Sequence, residues 1–351
     1  MTELVRSALR DLFKTADDAH PGLLLQRGWL KFTQTDSENS GAGGKTEHIQ
    51  RICDIPASAL YRSAFNRWLK NTSEARFHRV VMKIDNRLLI GLNGSGALET
   101  GCSVSHIHGM PYIPGSSIKG ALRAWAEKAL PELQVQFNEL FGSPDASLSG
   151  LVNFYDAWWV PDSGPNSHKN KPFVEEVVTP HHTDYYKGGG ADATDLDSPV
   201  PNAMIGVRGS FLFVYECAQD YADLIKTMLE KALAANGIGA KTSAGYGYFS
   251  KDTKLTQDYE QKAVLVRAGS LPEQEQLEFR LRIELKGMTE EGVVKMFSKD
   301  LNKTRERSDF KQLVEFIQRE YSVQISSWKE KKDNKNSVKA YKFFMSANGE
   351  E

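Results

Sequence analysis

Between Ile205 and Ser250 the apolar residues change their period twice, and this restricts the fold more than any other feature of the 351-residue chain. Ile205, Val207, Phe211, Phe213 and Tyr215 recur at alternate positions, which puts them on one face of a β-strand. Tyr221, Leu224, Ile225, Met228, Leu229, Ala232 and Leu233 then follow the i, i+3, i+4, i+7, i+8 spacing of an amphipathic helix. Gly237 stops that helix in the manner of a C-terminal cap, and Tyr246–Ser250 resumes as a strand. Upstream, Arg87–Leu92 reads as a short buried strand and Leu151–Ala157 as another. Between them Ser116–Leu130 reads as a helix with a Ser N-cap, carrying Ile118, Ala121, Leu122, Trp125 and Ala129 on one face. The order strand, helix, strand, strand, helix, strand is the βαββαβ order of a ferredoxin-like or RRM-like α+β domain. Within it, 160–203 is rich in Pro, Gly, Asp and His without a period, and reads as a long inserted loop.

That domain occupies 81–252 and leaves an N-terminal part, 1–80, and a C-terminal part, 253–351. The N-terminal part opens with an amphipathic helical pattern, MTELVRSALRDLFK, passes through the polar Gly/Ser-rich stretch 36–48, expected to be mobile, and becomes helical again from Pro56 to Lys70. In the C-terminal part Leu277–Leu285 alternates like a strand and Phe310–Tyr321 reads as a helix, which together suggest a small α/β appendage. From Lys295 to Lys342 there are 13 Lys and Arg against 7 Asp and Glu, read either as a solvated face or as an auxiliary surface for RNA or a partner.

A formal charge of −1 excludes a globally basic nucleic-acid binder, so any contact with RNA has to come from local patches. Cys53, Cys102 and Cys217 are odd in number, widely spaced and without a CxxC pair, which argues for a reducing cytoplasmic compartment and against a disulfide framework. No apolar run of signal-peptide or membrane-spanning length is present, and a membrane association is not expected.

Two segments carry the functional signal. In Gly237-Ile238-Gly239-Ala240-Lys241-Thr242-Ser243-Ala244-Gly245-Tyr246-Gly247, four glycines flank a basic, hydroxyl-bearing tip between a helix and a strand. Glycine permits positive φ and the close approach of a foreign backbone, so the tip reads either as a tight structural turn or as a holder of phosphate oxygens. In Met110-Pro111-Tyr112-Ile113-Pro114-Gly115-Ser116-Ser117-Ile118-Lys119-Gly120-Ala121-Leu122-Arg123, two prolines stiffen the entry to a helix N-terminus, whose free amides and dipole suit phosphate. Lys119 and Arg123 are four residues apart on one face, either as cations for that phosphate or as a solvated charged face.

Together these segments resemble the RAMP superfamily of CRISPR proteins: the glycine-rich loop follows the second helix, and PYIPGSSIKGALR is similar to the first conserved helix. The form GIGAKTSAGYG, with Thr179-Pro180-His181-His182 and Tyr185-Tyr186, resembles the sixth-subunit family of type III-B Cmr complexes. The resemblance covers roughly 80–252 and leaves 253–351 outside the family's usual length. It implies a non-catalytic, cofactor-free subunit that covers the 3′-proximal part of a guide RNA at the end of a backbone filament. Its partners would be guide and target RNA and the first, fourth and fifth Cmr proteins, with target cleavage left to the fourth. By resemblance, Ser116, Ser117, Lys119 and Arg123 face the guide backbone, Gly239, Lys241, Thr242 and Ser243 form the glycine-rich loop contact, and the insertion resembles the thumb-like loops that kink paired RNA.

Other readings compete. His106, His108, His181 and His182 are acid and base candidates for a metal-independent endoribonuclease, which would require two of them to converge on one 2′-OH and phosphate. Cys102, His106 and His108 are metal ligands by type, without the spacing of a common finger and without an evident fourth ligand. Trp158 and Trp159 are either core or interface residues, or platforms for a base. Gly43-Gly44-Lys45-Thr46 ends like a phosphate-binding loop but has Asn39 where that loop needs glycine.

Overall fold

Val80, Val81 and Met82 form an unbroken apolar run, as do Phe211–Tyr215, and a strand covered on both faces buries such a run. In the computed structural model both lie at the centre of one antiparallel sheet. The structure describes residues 2–3, 5–9, 11, 19–32, 44–93, 98, 100–143, 145, 147–179, 201–269, 273–285, 288–329 and 335–347. The chain forms two compact units, 1–260 and 261–351.

The first unit contains, in chain order, α1 (Pro21–Arg27), α2 (Gly44–Asp54), α3 (Ala59–Asn71), β1 (Phe77–Ile84), β2 (Tyr112–Ile113), α4 (Gly115–Ala129), α5 (Gln134–Phe141), β3 (Asn153–Phe154), β4 (Ala157–Trp159), β5 (Phe173–Val178), β6 (Asn202–Val207), β7 (Ser210–Glu216), α6 (Gln219–Ala235), β8 (Phe249–Lys251) and the start of α7 (Thr253–Gly269). The main sheet runs β8–β1–β7–β4–β2 with β3 also beside β7, and β5 pairs with β6 as a separate hairpin. All these pairs are antiparallel.

Register divides the sheet into two buried faces. Val80 opposes Phe213 and Met82 opposes Phe211, on the face that meets α6, where the Tyr215 hydroxyl donates to the Ala222 carbonyl at 2.8 Å. On the other face Val81 opposes Leu212, which opposes Trp158, and Trp158 stacks on Tyr61 and Trp68 of α3. The Tyr61 hydroxyl donates to the Trp159 carbonyl at 2.6 Å and ties α3 to β4. Helix α3 is held at its start by Ser58, whose Oγ accepts the Tyr61 amide at 3.1 Å.

Several elements differ from the sequence expectation. The first core strand is Phe77–Ile84 and not Arg87–Leu92; Leu88 and Leu89 are fully buried, but the segment contributes a bridge to Val207 and no strand. The alternation from Ile205 to Tyr215 is two strands, because Gly209 turns the chain at φ +100° between β6 and β7. A Cβ there would lie 2.7 Å from the Trp159 indole nitrogen, which donates to the Arg208 carbonyl at 2.8 Å. The expected loop 160–203 contains strand β5, and β6 already begins at Asn202. Helix α2 starts within the expected mobile stretch 36–48, and its Gln50 donates to Glu175 of β5 at 2.8 Å. Of the expected first helix, the described residues hold a two-residue strand, Thr2–Glu3, paired with Lys31–Phe32, a 3-10 turn at Ser7–Leu9 and a helical residue at Asp11.

The second unit is helical among its described residues, with α8 (Glu273–Leu285), α9 (Glu290–Met296), α10 (Leu301–Arg305), α11 (Phe310–Glu320), α12 (Ser322–Trp328) and α13 (Lys335–Ala347). The strand expected over Leu277–Leu285 is α8: Leu281 and Leu285 are buried and Leu277 packs beside them, a spacing of four that the alternating letters obscure. Phe297, Ile317, Trp328 and Phe344 complete this core. No helix among the described residues is long and apolar enough to cross a membrane.

Candidate nucleic-acid interface

The glycine-rich segment is a rigid loop with an outward tip. Gly237 follows the α6 cap at φ +67°, and Gly247 closes the loop at φ +75°, where any Cβ would run into the Ile238 carbonyl. The Ile238 amide donates to Gly247 at 2.8 Å, the Ala240 amide to the Leu89 carbonyl at 2.7 Å and the Gly247 amide to the Arg87 carbonyl at 2.8 Å. The irregular segment Arg87–Leu89 therefore braces the loop along its length. Tyr246 adds a side-chain anchor, its hydroxyl donating to Glu176 of β5 at 3.2 Å, and Arg87 pairs with the same carboxylate at 3.7 Å.

At the tip Lys241 adopts the left-handed conformation at φ +59°, followed by a 3-10 turn over Thr242–Ala244. The amides of Gly239, Lys241, Thr242 and Ser243 donate to no group among the described residues. Gly239, Lys241 and Ser243 are exposed, and a Cβ on Gly245 would meet open space. Successive free amides beside a lysine are donors suited to an anion.

The start of α4 differs from the expectation. Its cap residue is Pro114, which makes no side-chain bond, and the Ser cap expected at the head of the helix does not form. The Gly115 amide donates instead to Asp156 Oδ1 at 2.8 Å, so a carboxylate already occupies the positive end of the helix. Ser116 and Ser117 are exposed beside it.

Lys119 and Arg123 also part company. Lys119 is half-buried and has no ion pair or hydrogen bond among the described residues. Arg123 donates to Glu127 Oε1, to the Gly142 carbonyl and to Asn138 Oδ1, each at 2.7 Å, and fastens α4 to the end of α5. Its guanidinium is spent on the fold and cannot take a phosphate without breaking these bonds. The two groups of candidates lie toward opposite edges of the sheet: the glycine-rich loop leads into β8, and α4 leaves from β2.

His181, His182, Tyr185 and Tyr186 lie outside the described residues. His106 is exposed, whereas the His108 ring packs near Tyr61 at 6.0 Å and Trp158 at 6.1 Å, and burial holds its pKa below the ordinary histidine value. Among the described residues no three His, Cys, Asp or Glu side chains group as metal ligands, so Cys102, His106 and His108 do not converge. Trp159 is a core residue with no exposure, whereas Trp158 is half-buried at the rim of a cavity of about 260 Å³ with Tyr61, Tyr112 and Asp156. The sequence named Trp158 but missed Asp156, whose role depends on a neighbour 41 residues away.

Residues 82–250, just under half of the chain, match the RAMP superfamily. Over 167 residues it is 34% identical to the CRISPR system CMR subunit Cmr6 of Saccharolobus solfataricus, a match covering 46% of this chain and 54%, about half, of that relative. It is 23% identical over 289 residues to the Cmr subunit Cmr6 of Pyrococcus furiosus, covering 64% of this chain and 82% of that one. A chain in the cryo-EM structure of type III-B Cmr-beta bound to cognate target RNA is similar at 25% identity, with a TM-score of 0.51, 63% of this chain and 76% of that chain being covered. Over this region the chain is similar to RAMP proteins and to Cmr6 subunits.

Proposed function

We propose that this protein is a non-catalytic, guide-RNA-binding subunit of a type III-B CRISPR effector complex. It would cover the 3′-proximal part of the guide and support binding and cleavage of target RNA by the complex in antiviral defence. The observation that carries the RNA contact is the tip of the glycine-rich loop, where Lys241 stands beside free amides on a backbone fixed by Arg87 and Leu89. Such contacts give affinity and register with little sequence preference. Lys119 adds a second cation toward the other edge of the sheet.

In this reading the core is ferredoxin-like. Taking β1, β4, β7 and β8 as its four strands, the sheet order β8–β1–β7–β4 reads fourth, first, third, second, and the helices α4 and α6 fall where that topology requires them. The proposed partners are guide and target RNA and the first, fourth and fifth Cmr proteins, in the cytoplasm. Similarity to Cmr6 and to a chain of an RNA-bound Cmr complex supports this assignment.

The test is recovery of the protein from its native cells in mild salt, with sequencing of the accompanying RNA. Guide RNAs sharing one repeat-derived 5′ tag, recovered with other Cmr subunits, are the expected result. Lys241→Ala combined with Lys119→Ala is expected to lower guide occupancy uniformly across guides. Unchanged occupancy in that variant would sink the assignment, and RNA cleavage by the isolated chain would overturn the non-catalytic part.

A further inference from the structure

The cavity of about 260 Å³ beside β2 and β4 has a use that the phosphate contacts do not explain. It falls just below the range of about 300–1,000 Å³ typical of pockets for larger ligands, and its size suits one planar ring system. Tyr61, Tyr112 and Trp158 supply aromatic walls, and Tyr112 and Trp158 are held in place as direct partners across the β2–β4 pair. Ile107 stands at the lining with 72% of its surface exposed, an apolar edge open to solvent.

The polar groups select the occupant. Asp156 lines the cavity with one carboxylate oxygen committed to the Gly115 amide, while the other accepts from no group among the described residues. A carboxylate at that point repels phosphate and accepts from an N–H donor.

We propose that this cavity receives a single unpaired RNA base carrying an exocyclic amino group, stacked among the aromatic walls and donating to Asp156. The inference rests on the RNA-binding reading above and adds to it a site for a base. Continuity favours a nucleotide. The Ala240 amide of the glycine-rich loop bonds Leu89, the Ser103 amide bonds Ile90, and the Tyr112 amide bonds Ser103, giving an unbroken run of neighbouring backbones from the loop to the cavity. Three such backbone bonds link the loop to the cavity lining, outside the strand order of the main sheet. A strand held by its phosphates at Lys241 can thus deliver a base to Trp158. Aromatic stacking supplies affinity without strong sequence preference, and the carboxylate supplies discrimination, since carboxylates accept from the amino group of cytosine and not from the carbonyl in its place on uracil.

The test measures binding of the full chain to short single-stranded cytidine and uridine oligonucleotides, for the wild type and for Trp158→Ala, Asp156→Asn and Lys241→Ala. The wild type is expected to prefer cytidine RNA. Trp158→Ala is expected to weaken binding roughly 5- to 150-fold, the contribution of one stacked base. Because Trp158 also packs on α3, Asp156→Asn gives an independent reading. Its amide oxygen can still accept from Gly115 while its amino group faces the base, so the preference should shift toward uridine with the melting temperature kept. If Lys241→Ala weakens both RNAs while Asp156→Asn and Trp158→Ala leave affinity and preference unchanged, the base site is wrong and the RNA-binding reading stands. If the wild type binds neither RNA at any salt, both fall. A cationic side chain of a partner subunit cross-linked into the cavity of the assembled complex would also overturn the proposal.

Discussion

Substituting Lys119 and Arg123 one at a time separates two residues that the sequence pairs as phosphate contacts. Arg123 makes three hydrogen bonds at 2.7 Å and its side chain is only 19% exposed. A hydrogen bond to a charged group contributes about 1.5–3 kcal/mol, but three on one guanidinium do not add. The bond to Glu127 is an i,i+4 surface pair contributing a few tenths of a kcal/mol. The weight falls on the Gly142 carbonyl and Asn138, which lose their donor when Arg123 becomes Ala, for a net loss of about 2–3 kcal/mol. At about 2–4 °C per kcal/mol for a unit of this size, the melting temperature should fall by about 4–12 °C in calorimetry. Lys119→Ala should leave the melting temperature within the scatter of a surface substitution, about 0.5 kcal/mol. On single-stranded RNA it should reduce the slope of log K against log salt by about 0.7, the loss of one phosphate contact. The reasoning is refuted if Arg123→Ala melts with the wild type and flattens the salt slope, or if Lys119→Ala lowers the melting temperature.

Other outcomes follow from the same geometry. Gly245→Ala meets open space and bears only the left-handed penalty of about 1–2 kcal/mol, whereas Gly247→Ala collides with the Ile238 carbonyl and should abolish the folded loop; urea denaturation of the two variants tests the contrast. Tyr61→Phe strands the buried Trp159 carbonyl and should lower stability by about 1–3 kcal/mol, read as a shift in the urea midpoint at constant slope. Burial holds His48 below the ordinary histidine pKa, against its bond to the Leu24 carbonyl, so the folded chain keeps it neutral. Its contribution is complete above a pH of about 6.5 and is lost as pH falls further, because the unfolded chain takes up the proton first; His48→Gln should flatten the dependence of stability on pH in that window.

The helices α3, α4 and α6 were legible because each presents an apolar stripe at helical spacing, and Gly237 marked the end of α6 in plain letters. Strand β1 was not legible. Its Val80-Val81-Met82 run is buried on both faces, so it lacks the alternation that announces a half-covered strand, and the neighbouring RLLIGL is apolar for a different reason, as a buried brace. In α8 the alternating letters of LEFRLRIEL imitate a strand while Leu277, Leu281 and Leu285 share a helical face. The tip of the glycine-rich loop was legible from glycine positions and a lysine. The engagement of Arg123 was not, because its partners Asn138 and Gly142 lie 15 and 19 residues on and carry no pattern. Asp156 likewise gives no local sign that it sits against Gly115.

The brace at Arg87–Leu89 is bonded on two sides. Leu88 exchanges both backbone hydrogen bonds with Val207 at 2.9 Å, while its neighbours hold the glycine-rich loop. The segment thus acts as a spline between hairpin and loop. The β5–β6 hairpin and the Lys241 loop are thus joined through the backbone of three residues, and the Glu176 carboxylate, joined to both Arg87 and Tyr246, adds a second link in parallel. The hairpin and the tip with its unbonded amides therefore share one backbone support.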